Sequence, residues 1–147
     1  MNELSSLDII EILNSYNIEP NGIYQKDMLP YDLEIGFYIV NLQSSNDGNG
    51  THWTALYFSP TLSIWYDSFG FKPPEDVEDR IGKYIYNSYQ IQDIKSSSCG
   101  YYCVAFIKFL YPVREKEKAF NVFVNLFKQN KLANEKVLYE LLYQFKL

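Results

Sequence analysis

In Ser98-Cys99-Gly100-Tyr101-Tyr102-Cys103-Val104-Ala105-Phe106-Ile107-Lys108-Phe109-Leu110, apolar and aromatic side chains run nearly all the way round a helical projection, and Lys108 is the one charge. A helix with no polar face must be covered on every side, so this one is expected at the centre of the molecule, ended by Pro112. The segments that could cover it lie on both sides in sequence. Residues 6–16 read as a first helix, with Leu7, Ile10 and Leu13 at helical spacing and Ser6 available as a cap. Pro20-Asn21-Gly22 breaks that helix, and residues 23–32, around Pro30, read as irregular. Residues 36–42, 52–58 and 62–67 are β-rich runs separated by turns, and they read as an antiparallel meander. Residues 75–86 read as a helix with an acidic first turn, and 89–94 as a short strand. Two amphipathic helices, roughly 115–129 and 134–145, close the chain. The expectation is an α+β fold in one domain, residues 1–147, with no internal repeat and no linker.

Composition narrows the function. With 147 residues, 47% hydrophobic and 18% aromatic, the chain can bury a core without staples. A net charge of −5 argues against a nucleic-acid partner, and Lys116, Lys118, Lys128 and Lys131 read as solvated helix faces. Two cysteines make no disulfide framework. Cys99 and Cys103 sit one helical turn apart, where a bridge would be strained, so both are expected as thiols in a reducing compartment. Met1-Asn2-Glu3-Leu4 lacks the basic start and apolar run of a signal peptide, and no apolar stretch reaches the length of a membrane span. No cofactor and no metal are expected.

The chemistry starts from a scarcity. The chain has one histidine, His52, in Gly50-Thr51-His52-Trp53. Asp67 follows in Asp67-Ser68-Phe69-Gly70, and Cys99 in Ser98-Cys99-Gly100. Imidazole, carboxylate and thiol are the parts of a nucleophilic cysteine site: the thiol needs a base, and the base needs a partner to hold its ring. Strands joined by a short turn would bring His52, at the start of one, to the same rim as Asp67, at the end of the next. Cys99 at a helix N-terminus would meet unpaired N–H groups that favour a thiolate. Gln92 could place its amide beside a developing oxyanion, together with the backbone N–H of Cys99. Each piece alone has an ordinary reading as packing, turn or buried thiol. Their conjunction, in this order and at element ends, carries the signal. Cys103 is read as core. Trp53 is read as both core and cleft wall, and Gly50 and Thr51 as flanking substrate-binding positions.

Gly50-Thr51-His52-Trp53-Thr54-Ala55, Asp67-Ser68-Phe69-Gly70 and Gln92-(six residues)-Cys99-Gly100 together resemble the adenovirus-type and SUMO-protease-type cysteine peptidases, in particular the maturation proteases of virophages, Maverick/Polinton elements and large DNA viruses. Asn21 to Pro30 and Phe71-Lys72-Pro73-Pro74 resemble their flanking segments, so the likeness runs from about Asn21 to Leu110. The resemblance implies a papain-like α+β fold in circularly rearranged order, the cysteine helix packed on a mixed sheet. It implies His52, Asp67 and Cys99 as a triad, Gln92 as oxyanion donor, and cleavage of capsid and core precursor proteins during virion maturation, in the host-cell viral factory and the virion. Cleavage would follow small residues such as Gly, because a narrow cleft excludes any Cβ. The adenovirus enzyme uses a viral peptide and DNA as cofactors. An activating peptide stays open as a partner here, whereas the acidic balance speaks against DNA.

Other functions share these residues. A protease acting on ubiquitin-like proteins would use the same triad on a different substrate. An acyltransferase would need an acyl-donor site, for which no basic signature stands out. A binding module that kept the fold without the chemistry would leave Cys99 far from His52.

Overall fold

The computed structural model describes residues 1–43 and 52–143. Its elements run α1 (Ser6–Ser15), β1 (Gly22–Gln25), a 3₁₀ turn (Lys26–Met28), β2 (Gly36–Asn41), β3 (Trp53–Phe58), β4 (Ser63–Tyr66), α2 (Glu75–Ile81), β5 (Tyr84–Tyr86), α3 (Cys99–Leu110), α4 (Lys116–Asn125) and α5 (Lys131–Tyr143). The five strands form one mixed sheet in sequence order. The β2–β3 and β3–β4 pairs are antiparallel, as expected for a meander, and β1 and β5 are added in parallel at its edges. The fold is α+β.

Helices on both faces explain why the central strands are apolar throughout rather than alternating. Phe37, Ile39, Trp53, Ala55, Ile64 and Tyr66 face the larger core, built on α3 with α1, α4 and α5. Their neighbours Tyr38, Val40, Leu56 and Trp65 face the other way, onto Val77 and Ile81 of α2. Phe106 of α3 is the hub of the larger core. It stacks on Tyr66 with centroids 5.1 Å apart and meets Phe37, Phe120 and Phe123 edge-on. The one charge on this helix is also accounted for. Lys108 Nζ donates to the carbonyls of Leu141 and Leu142, satisfying the last turn of α5, and lies 4.1 Å from the centre of the Tyr16 ring.

The structure departs from the sequence expectations at four places. Ser5, not Ser6, caps α1, in a reciprocal capping box with Asp8. Residues 23–25, read as irregular, form edge strand β1 together with Gly22 of the helix-breaking turn, a strand too short to carry a periodicity. The helix expected over 75–86 ends at Ile81, because Gly82 takes φ +67 and turns the chain so that Tyr84–Tyr86 can pair with β4. Residues 89–94 form no strand. They leave the sheet and wrap the Asp67 turn, with the N–H groups of both Ile91 and Gln92 donating to Ser68 O. Neither cysteine forms a disulfide. No helix among the described residues is long and apolar enough to cross a membrane.

Candidate active site

The β3–β4 register, with Ala55 opposite Tyr66, sets His52 just before β3 and Asp67 just after β4 at one end of the sheet. His52 still belongs to the ladder, since its carbonyl accepts from Leu42 N at 3.0 Å. Its Nε2 meets Asp67 Oδ1 at 2.7 Å. Cys99 opens α3, which packs on β3, and its Sγ accepts from Trp53 N at 3.4 Å. Three segments distant in sequence therefore converge.

Two features hold the carboxylate. The Asp67 side chain is 1% exposed, and Oδ1 also accepts from Phe69 N at 2.8 Å. Asn87 clamps the Asp67 backbone, accepting from its N–H at 3.2 Å and donating to its carbonyl at 2.6 Å. Asp67 Oδ2 is buried with no hydrogen-bond partner among the described residues. Gly70, at φ +85, closes the turn through its N–H to Asp67 O. That turn lays Phe69 flat on the His52 ring, with centroids 4.2 Å apart and planes 9° from parallel. The imidazole is thus held in its plane by the carboxylate and from one face by a phenyl ring.

Burial by itself would lower the His52 pKa. The hydrogen bond that Asp67 accepts, the neighbouring Cys99 thiol, and the charges of both groups outweigh it and push the pKa up to about 9. With Nε2 taken by Asp67, the buried Nδ1 is the ring nitrogen left for the thiol. These influences favour the imidazolium, held by a carboxylate on one side with a sulfur nearby. The Cys99 sulfur also receives the Trp53 N–H. Such an arrangement can deliver a thiolate to an electrophilic carbon and a proton to a leaving group.

Gln92 is fully buried. Its Oε1 accepts from Ser68 Oγ at 2.5 Å and its Nε2 donates to Ser96 O at 2.9 Å, leaving one amide hydrogen uncommitted by these bonds. It is tied both to the Asp67 turn and to the loop that leads into Cys99. Trp53 is buried, and its Nε1 donates to Leu4 O at 2.8 Å. It also lines, with Leu4, Tyr24 and Asn41, a cavity of about 700 Å³. It is therefore core and cavity wall together, but His52, Asp67, Cys99 and Gln92 are not among the residues that line this cavity. Gly50 and Thr51 lie outside the described residues. Cys103 is buried, and burial pushes its thiol pKa far up, the charge of Cys99 adding to this. Among the described residues no group of three or more His, Cys, Asp or Glu side chains could hold a metal.

Sequence reasoning missed Phe69, Asn87, Ser68 and Glu135. Phe69 sat inside a motif already singled out, so the aromatic next to an acidic turn was the available signal. Asn87 and Glu135 carry none, because their partners are remote in sequence. Compared with known proteins, the chain matches no family model and no curated protein.

Proposed function

We propose that the chain is a cysteine endopeptidase of papain-like fold, in the element order of the adenovirus-type and SUMO-protease-type enzymes. The observation that carries the proposal is the single imidazole bonded through Nε2 to a buried carboxylate, next in sequence to the Trp53 N–H that reaches the Cys99 sulfur at the first residue of a buried helix. In the proposed reaction Cys99 Sγ attacks the scissile carbonyl carbon. The C=O π electrons move to oxygen, which is met by the Cys99 N–H and the Gln92 amide. As the tetrahedral intermediate collapses, the C–N bond breaks and His52 gives its proton to the leaving amine. Water then attacks the thioester, His52 takes a proton from it, and the thiolate leaves. Asp67 keeps the ring oriented and charged through the first half and receives no proton.

The substrates proposed are polypeptides, namely capsid and core precursors cut after small residues inside an infected cell and in the virion. Support for this substrate class comes from the motif resemblance, not from the geometry. Ubiquitin-like proteins, whose C-termini are also small, are the alternative substrates.

The test is incubation of the purified chain with a peptide library, with Cys99→Ala as control. Cleavage that is present in the wild type and abolished in a folded Cys99→Ala variant is expected. Cleavage that survives in the variant, or none in the wild type, overturns the proposal. An adduct between Cys99 and a SUMO or ubiquitin C-terminal electrophile would redirect it to ubiquitin-like substrates.

A further inference from the structure

We infer that Glu135, at the start of α5, is a positioning residue for the oxyanion side of this site; the inference rests on the protease reading above. One carboxylate there gathers hydroxyls from both sides of the nucleophile. Oε1 accepts from Ser96 Oγ and Ser98 Oγ, each at 2.9 Å, and Oε2 accepts from Tyr102 OH at 2.6 Å. Ser98 immediately precedes Cys99, and Tyr102 lies one turn after it on α3. Ser96 is in addition the residue whose carbonyl holds the Gln92 amide, and its Oγ accepts from Ser98 N at 3.2 Å. The neighbouring side chain secures the other end of the loop: Asn134, fully buried, donates to Ile91 O at 2.9 Å, one residue before Gln92. Two consecutive residues of α5 thus hold both ends of the segment 91–98, which has no regular secondary structure of its own.

The position demands an acceptor oxygen for the two serines, which a carboxylate supplies with a second for Tyr102. Three hydroxyl donors converge on it, and two acceptor oxygens take all three. The hydroxyl of the N-cap Ser98 is not spent on a cap of its own helix and is given to Glu135 instead. Glu135 touches neither Cys99 nor His52 in these bonds. Its effect must pass through where the loop places the Gln92 amide and the Cys99 N–H. Donors that must meet an oxygen in the transition state are sensitive to displacements of about 1 Å, which can cost about 10²-fold in rate.

The experiment uses the full chain and a peptide cleaved by the wild type. The kcat and KM are measured for wild type, Glu135→Ala and Glu135→Gln. Two further readouts are affinity for the matching peptide aldehyde and the rate at which iodoacetamide alkylates Cys99, located by mass spectrometry. The aldehyde carbon bonds to sulfur, and its oxygen takes the oxyanion position; alkylation displaces iodide and places no oxygen there. For Glu135→Ala, kcat is expected to fall about tenfold or more, aldehyde affinity to fall in step, and KM and the alkylation rate to stay within about threefold. Glu135→Gln keeps an acceptor for the two serines and is expected to recover most of kcat. If Glu135→Ala does not fold, Ser96→Ala removes one of the three hydroxyls and is expected to show the same split in smaller measure.

Unchanged kcat in folded Glu135→Ala overturns the inference while leaving the protease reading intact. Equal loss of kcat and alkylation also overturns it, because Glu135 would then only be holding the helix. A wild type without Cys99-dependent cleavage removes the protease reading itself, and the inference falls with it.

Discussion

Asp67 Oδ1 takes two donors, the His52 ring and the Phe69 N–H, so one oxygen sets both the base and the turn that carries its stacking partner. Because the chain has a single histidine, its ring resonances in NMR are unambiguous. The wild-type ring is expected to titrate near 9, and Asp67→Asn to lower that by about 1–3 pH units, since burial then acts with less opposition. Cys99→Ala is expected to lower it less, the thiol being the smaller of the two raising influences. In the proposed enzyme the competent form is imidazolium with thiolate. The rate should therefore fall as pH rises through about 9, where His52 loses its proton. Phe69→Ala removes the stack on His52. It is expected to lower kcat roughly two- to tenfold, as an aromatic contact of about 0.5–1.5 kcal/mol would, and Phe69→Tyr to restore it. His52, Asp67, Cys99 and Gln92 could be picked out in the chain because few residue types do this chemistry. Asn87 could not, since an amide near a turn has many ordinary uses, and Phe69, though inside a quoted motif, showed its role only once its ring lay on His52.

The turn after β4 is the element on which the site depends most. A Cβ added to Gly70 would stand 2.5 Å from the Tyr89 carbonyl carbon, and the residue's φ of +85 already disfavours any side chain. Gly70→Ala is expected to destabilise the fold by about 1–3 kcal/mol, read by urea denaturation, and to depress activity beyond that loss by moving Phe69 and Asp67. The end of α5 offers a contrasting case away from the site. Lys108→Met keeps the length of the side chain but leaves two carbonyls without their shared donor, at an expected cost of about 1–3 kcal/mol. Most elements followed from local pattern, as with the meander and α3. Where the pattern failed, at β1, β5 and residues 89–94, the deciding partner was another strand or the Asp67 turn, and no window of local sequence contains it.

Across the molecule, the charged histidine couples the site to stability. Its pKa in the fold, about 9, lies above its ordinary 6.5. The contribution of the imidazolium is thus fully present below pH 6.5 and is lost as pH rises through 9. The urea midpoint is expected to decline between pH 6.5 and 9, and Asp67→Asn to flatten that decline. Phe106→Ala, at the hub of the larger core, is expected to cost about 3–5 kcal/mol, a large share of the 5–15 kcal/mol typical of a domain, and, in the proposed enzyme, to slow cleavage by loosening the helix that carries Cys99. The amino-acid sequence alone determined the elements that interact with themselves: the apolar helix, the hairpin turns, and the residue types able to do nucleophilic chemistry. Only tertiary structure decided which strands lie at the sheet edges, which ring nitrogen faces the carboxylate, and that a glutamate 36 residues after Cys99 holds the loop before it. The physical reason is range. Propensity and periodicity act through neighbours along the chain, whereas hydrogen bonds and packing act between whatever the fold brings within a few ångströms.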